Sequence, residues 1–356
     1  MKKRVLFSIT SQFGYHTDTY MYCKYLDKAK YDVHYAGFDL NYERRYIDDV
    51  TVHYIKLYSS RLKRYSNYIL EIHKIIRQEK FDILFLVDCQ ATLLIRLTNL
   101  LQNTVLDIRT GDVFLKDNRL SVYNIKLLLK TLLFKNISII SDSLRRTLHI
   151  NKHKSFILPL GGEIICKKEK VFDPIVLFYI GVFRNRNIEQ TIEGLMLFRK
   201  EFPEQSIKYH LVGYGTHADE SNLKSLIEKY SLKDIVIFHG RKNHDEIREL
   251  FEEANVGVVY IPMKKGYMYQ PTTKFFEYLL SGMSIIATKT FENINAFKDN
   301  AGVLIEDNPR CFANGLKEII QNKSKFNSTQ IRTDYMEYTW EYIVKHRLEP
   351  YFEKIG

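Results

Sequence analysis

The chain has 356 residues, 45% of them hydrophobic, which is enough apolar material for two cores of ordinary domain size. No apolar run reaches the roughly 18 residues of a membrane-spanning helix, and the opening MKKRVLFSIT turns polar too soon for a secretory leader, so a cytoplasmic chain is expected. Cys23, Cys89, Cys166 and Cys311 are too scattered for a disulfide framework or a zinc knuckle, and no metal is expected. The net charge of +11 lies in the first half: Lys and Arg outnumber Asp and Glu by 26 to 15 over residues 1–160 and equal them at 27 each over 161–356. Such a one-sided positive field suits an anionic substrate, an anionic membrane surface or a nucleic acid. Without a recognition helix, zinc finger or RNA platform, nucleic acid is not an expected partner.

In chain order, apolar runs at 3–9, 31–38, 50–58, 81–88, 104–113 and 136–143 read as strands, with helical spacing at 66–80, 91–103, 126–136 and 144–150. Continuous runs of Val, Ile, Leu and Phe between helices predict a parallel sheet covered on both faces. Paired glycines, prolines and a lysine cluster interrupt the alternation around 154–174 and predict a hinge. A second alternation follows, with strands at 175–181, 207–215, 234–240 and 256–262 and helices at 187–202, 218–230 and 243–253. A short segment at 301–307, a helix at 309–321 and a terminal helix at 338–356 interrupted at Pro350 complete the chain. The expected fold is α/β, with a doubly wound domain over 1–160, joined by the terminal helix, and another over 161–337. Two such sheets are expected to hold a ligand in a cleft between them. Gly14, Gly111, Gly181, Gly213, Gly215 and Gly240 fall near predicted strand ends.

The most informative stretch is PTTKFFEYLLSGMSIIAT, residues 271–288. Pro271 followed by Thr272 or Thr273 predicts a capped helix start whose free N–H groups form an anion site. Lys274 and Glu277, three apart, share one helix face, so a cation for phosphate and a carboxylate for hydroxyls would lie one turn apart. The competing reading is an ordinary surface Lys–Glu pair.

Together with YIGVFRNRNIEQTIEG (179–194), HLVGYG (210–215), VIFHGRKNHDEIRELFEEANVGVVYIP (236–262), VLDIRTGDV (105–113) and ILPLGG (157–162), this stretch resembles the retaining glycosyltransferases of family 4. The resemblance covers most of the chain. It implies the GT-B fold of two facing Rossmann-like domains, with the acceptor on the first and the nucleotide-sugar donor on the second. It also implies an enzyme that transfers a sugar from a nucleotide-diphosphate sugar, a UDP-sugar being the expected donor, without a metal or other cofactor. The implied acceptor is a glycan or polyprenyl-linked glycan in surface polysaccharide or capsule synthesis, at the inner membrane face. Arg186, with Arg184, falls at the family's donor-diphosphate position, and Lys274 stands beside the phosphate-binding helix start of Thr272 and Thr273. Glu277 matches the glutamate that accepts from ribose hydroxyls. Tyr269 stands where the family has a second glutamate, a departure that bears on donor-sugar choice. Gly181 and Gly14 line the diphosphate from either side, and Gly240 and Arg241 lie where the nucleobase is held.

Arg109, ending the TVLDIR run, is the expected clamp on the diphosphate from the first domain, oriented by Asp107 or Asp112; the alternative is a salt bridge within the turn. Asp88 and His16 are acceptor-side candidates, Asp88 alternatively capping the next helix, and His16 and His244 alternatively bystanders. The helix 122–136 is read as separating Lys126, Lys130 and Lys135 from a leucine face that meets either lipid or the sheet. A nucleotide-sugar epimerase of the same fold and a non-catalytic sugar-nucleotide binder remain as alternatives. GYGTHA (213–218) approaches a dinucleotide fingerprint but has Ala218 at its third glycine position.

Overall fold

The structure, a computed structural model, describes residues 2–100, 102–111, 122–242, 244–264 and 266–356, the side chains of residues 244 and 245 apart. Asp112 and the side chain of His244 therefore lie outside the described residues. The chain divides into two compact units, Met1–Leu160 with Trp340–Gly356, and Gly161–Thr339.

The first unit is built on seven strands, β1 (Lys3–Ser8), β2 (Tyr31–Asp39), β3 (Val50–Lys56), β4 (Ile83–Val87), β5 (Asn103–Ile108), β6 (Asn136–Ile139) and β7 (Ser155–Ile157). They pair in parallel in the order β3-β2-β1-β4-β5-β6-β7. The second unit holds β8 (Ile175–Val182), β9 (Ile207–Tyr214), β10 (Val236–Gly240), β11 (Val256–Val259), β12 (Ser284–Thr288) and β13 (Gly302–Ile305), all parallel, in the order β10-β9-β8-β11-β12-β13. Both units are Rossmann-like. In each, strand order reverses between its first and fourth strands, the place where such sheets bind ligands at their carboxyl ends. The central strands β4, β11 and β12 are buried along their whole length, as their unbroken apolar sequences require.

The boundaries differ from expectation in informative places. SFI, assigned to the hinge, is β7, whose apolar run is too short to stand out beside the prolines and glycines that follow. The helix expected over 66–80 begins at Arg61, and that expected over 91–103 stops at Thr98. The last stretch runs through a helix Trp340–Ile343, a π turn Val344–Leu348 and a helix Glu349–Ile355. Pro350 is the second residue of that last helix, directly after the π turn. Trp340 and Phe352 of this stretch are buried in the first unit, Phe352 against Phe7 and Phe85. No described helix is long and apolar enough to cross a membrane.

The helix Thr273–Leu280 is seated on β8 and β11 by one side chain. Tyr278 is fully buried, and its hydroxyl accepts from the Ile180 backbone N–H at 3.1 Å. Gly257 on β11 makes the seat possible, since a Cβ there would stand 2.2 Å from the Tyr278 ring. Gly162 packs on the other side of the same helix, where a Cβ would meet the Glu277 nitrogen at 3.0 Å. Tyr278→Phe should cost about 1–3 kcal/mol by leaving the Ile180 N–H unpaired, and Tyr278→Ala about 3–5 kcal/mol by adding a cavity. Urea unfolding of the two variants measures both, and a Tyr278→Phe variant as stable as wild type would remove the hydroxyl from the seat.

Candidate active site

The helix Thr273–Leu280 starts beyond β11, with Thr272 in extended backbone as its cap and the Thr272 hydroxyl accepting from Phe275 N–H at 3.4 Å. Thr273 is the first helical residue. Because residues 275–280 are all buried, only the first turn is presented outward. There Lys274 Nζ donates to Glu277 Oε2 at 2.5 Å, and the lysine side chain is 36% exposed while the glutamate is only 11% exposed. This is not a solvated surface pair, because the carboxylate has been withdrawn from water and requires a charged or hydrogen-bonding partner.

The loop leaving β8 lies on the same edge. Arg184 is exposed and Arg186 half-buried. Arg186 is flanked by Asn185 at φ 60 and Asn187 at φ 54, a left-handed conformation that asparagine tolerates better than most side chains. The Arg186 N–H donates to Phe183 O at 3.1 Å, and its guanidinium lies 4.8 Å from the Tyr267 ring centre. Tyr269 closes the 3-10 turn Tyr267–Tyr269 and packs against Phe291 with ring centres 5.1 Å apart. Arg184, Arg186, Thr272, Thr273, Lys274, Glu277 and Tyr269 thus all stand at the carboxyl edge of the second sheet, on the segments that follow the adjacent strands β8 and β11. Tyr267 and the two asparagines were not singled out in the sequence, although the pattern Asn-Arg-Asn carries the backbone signal.

Other candidates are placed differently. Gly181 lies inside β8 opposite Gly213 of β9, where it allows a close approach: a Cβ on Gly213 would stand 1.9 Å from the Gly181 carbonyl oxygen. Gly240 ends the edge strand β10 at φ +67, with open space where a Cβ would point. The Arg241 guanidinium lies 5.2 Å from the Tyr214 ring centre, two strands away from β8. The helix start within GYGTHA is closed by its own capping box: Thr216 N–H donates to Asp219 Oδ2 at 2.7 Å and Asp219 N–H to Thr216 Oγ1 at 3.2 Å. An aspartate thus occupies the place a dinucleotide phosphate would need.

Three candidates of the first unit are held by protein partners. The first is Arg109. Its guanidinium is 8% exposed, donates to Asp18 Oδ2 at 2.5 Å and to the Leu158 carbonyl at 2.8 Å, and stands 3.8 Å from Asp107. Burial opposes its charge, but Asp18, Tyr22 and Asp107 outweigh burial and raise its pKa. The orienting acid is Asp18, in the first turn of the helix Thr17–Tyr25, which the sequence reading had not connected with Arg109. Asp88 is also engaged, accepting from Lys130 Nζ at 2.6 Å and from the Tyr123 hydroxyl at 3.1 Å; it does not cap the next helix. His16 is the cap of the helix Thr17–Tyr25, its Nδ1 accepting from Thr19 N–H at 3.4 Å, and burial holds its pKa below the usual value. Gly14, at φ +90, lies against Arg45, which would collide with any Cβ there.

Two Rossmann-like units, the second with cations and a capped helix start at its switch point, define a GT-B-type α/β protein. Residues 163–336 match the family described as glycosyl transferases group 1 and residues 4–144 that described as glycosyl transferase 4-like, and the chain is a glycosyltransferase of this type. No curated protein matches it in sequence. Among solved structures it is similar in fold to sucrose-phosphate synthase from Thermosynechococcus elongatus, with a TM-score of 0.75 at 15% identity over 99% of each chain. It is also similar to a glycosyltransferase from Rickettsia africae, with a TM-score of 0.74 at 14% identity over 99% of this chain and 98% of that one. Anabaena HepE, solved with UDP and glucose, gives a TM-score of 0.73 at 12% identity over 99% and 100%.

Asp107 is fully buried beneath Arg109. Burial pushes it up to about 6, against the pull of Arg109 and Ser138 and with Asp18 adding to the rise. The native state therefore keeps a proton that the unfolded chain has already released, and stability falls as pH rises from about 4 to about 6. Relative to Asp107→Asn, the wild type should lose about 3 kcal/mol across that window. Parallel urea-unfolding profiles against pH would show that Asp107 does not titrate there.

Proposed function

We propose that the chain is a retaining, metal-independent glycosyltransferase that uses a nucleoside-diphosphate sugar, with UDP as the expected nucleotide. The acceptor is a glycan or polyprenyl-linked glycan of surface polysaccharide synthesis, held at the inner face of the membrane. The observation that carries this reading is the convergence of Arg186, Lys274 and the Thr272-capped helix start at the β8–β11 switch point, with the recessed Glu277 carboxylate one turn further on. The nucleotide named with Anabaena HepE supports the donor class.

The roles follow from the chemistry. Breaking the bond between the anomeric carbon and the diphosphate leaves negative charge on the leaving phosphate, and Arg186, Lys274 and the helix N–H groups stabilise it without reorganising. Glu277 accepts from the ribose hydroxyls, whose O–H groups replace the lysine as its donors. The acceptor oxygen bonds to the anomeric carbon on the face that the diphosphate leaves, and a phosphate oxygen takes the acceptor proton, so the steps balance without a separate base. Tyr269 places an aromatic ring, packed against Phe291, where an acid would otherwise receive donor-sugar hydroxyls. This favours a sugar with an apolar face at that point over one offering a further hydroxyl.

Thermal-shift titration against UDP, GDP, ADP and their sugars tests the reading; a ligand at a hundred times its Kd should stabilise the fold by about 2.7 kcal/mol. Arg186→Ala should lower transfer by about 100-fold or more while leaving the fold intact. Glu277→Gln should weaken binding of the free nucleoside diphosphate. Conversion of a sugar nucleotide without any acceptor would instead establish the epimerase, and unchanged kinetics in Arg186→Ala would remove that residue from the site.

A further inference from the structure

The sequence assigned the lysines of the helix 122–136 to the solvent face and left its leucines between sheet and lipid. The structure divides them otherwise. The helix Val122–Thr131 buries Asn124, Leu127 and Thr131 against the first unit, and Lys130 turns in to Asp88 and the Cys89 carbonyl. The side chains left outside are mostly apolar: Leu129 is 58% exposed, Leu132 66% and Leu133 42%. The neighbouring helix Thr92–Thr98 and the turn after it do the same with Leu94 at 50%, Leu97 at 44% and Leu100 at 61%. The two sets belong to one surface, because Arg96 Nε donates to the Leu133 carbonyl at 3.0 Å and its Nη1 to the Leu100 carbonyl at 3.1 Å. Six leucines at this exposure on two adjoining elements exceed the scattered apolar residues normal on a surface, and such a patch marks an interaction site.

The charge around it selects the occupant. Residues 89–106 and 122–141 contain no Asp or Glu, and Lys126 and Lys135 are exposed at either end of the second leucine set. Residues 1–160 carry all the excess positive charge of the chain. Leucines flanked by the exposed Lys126 and Lys135 complement acyl chains below anionic headgroups, where each lysine adds attraction that salt screens. We propose that the leucine surface of the helices Thr92–Thr98 and Val122–Thr131 docks the first unit on an anionic lipid bilayer, the leucines entering the headgroup boundary and Lys126 and Lys135 pairing with headgroups. This deepens the reading of a membrane-held acceptor, but its test needs no turnover: vesicle binding and nucleotide binding are measured separately, so either can fail alone.

The experiment is flotation of the full chain with vesicles of phosphatidylcholine alone or with roughly one-third phosphatidylglycerol. Wild type should float with the anionic vesicles and be released by high salt, and Lys126→Glu with Lys135→Glu should weaken binding about 20-fold or more. Leu97→Glu with Leu132→Glu should weaken it more than about ten-fold while the thermal transition and UDP binding stay as in wild type. Failure of wild type to float with either vesicle would overturn the proposal. So would a wild-type dimer in sedimentation that the leucine variant dissolves, which would make the surface a self-association face.

Discussion

A carboxylate held out of water is the constraint on which the candidate site depends. Glu277 is fixed by its helix, and an ionised acid at that depth carries a desolvation cost of several kcal/mol unless something offsets it. Lys274, one turn back, supplies the partner at 2.5 Å, so the ligand-free chain holds its cation and its anion together. On the proposed reading, a phosphate that draws Lys274 away strands Glu277 unless hydroxyl donors arrive with it. Inorganic phosphate satisfies only half of that exchange. A nucleotide, bringing phosphate and ribose hydroxyls at one fixed spacing, satisfies both, and the pair thereby discriminates among anions through the group each would leave unpaired.

The two units repeat one strand order and one buried-histidine device, yet they treat the switch point differently. His34 of β2 faces His53 of β3 at 3.0 Å, and His210 of β9 faces His239 of β10 at 2.8 Å, so the outer strands are tied alike in both sheets. At the helix that follows the first strand the likeness ends. In the first unit, Asp18 sits in the first turn and neutralises Arg109 beneath it, so that helix start already holds its anion. In the second unit the loop after β8 presents Arg184 and Arg186 instead, and the capped helix after β11 carries a lysine in its first turn. The fold supplies two equivalent edges, and the side chains reserve one of them for an external anion.

Most of the architecture was legible in the sequence, because fully buried parallel strands are continuous apolar runs and leave no ambiguity of face. Thr272, Lys274 and Glu277 were legible too, since a cap and an i, i+3 pair are local. Arg109 was not, because its fate is decided by Asp18, 91 positions away, and by a carbonyl 49 positions away, neither of which leaves a periodic trace. β7 was hidden for the opposite reason: three residues carry too little pattern to outweigh the prolines and glycines beside them.

Lys130 shows how a long-range partner can change a surface. Lys126 and Lys130 are four apart on a helix and share one stripe, so a sequence reading places both in water with the leucines facing inward. A run as rich in leucine as LLLKTLL, however, has apolar residues on every side, and packing alone does not choose which of them are buried. Asp88 chooses. A buried carboxylate at the end of β4 needs a cation, and Lys130, 42 residues away, supplies it. Meeting that need rotates the helix so that Asn124, Leu127 and Thr131 face the sheet and Leu129 and Leu133 face out. The exposed leucines are thus the consequence of satisfying one acid, and a surface that the helix would otherwise have hidden becomes available to a partner.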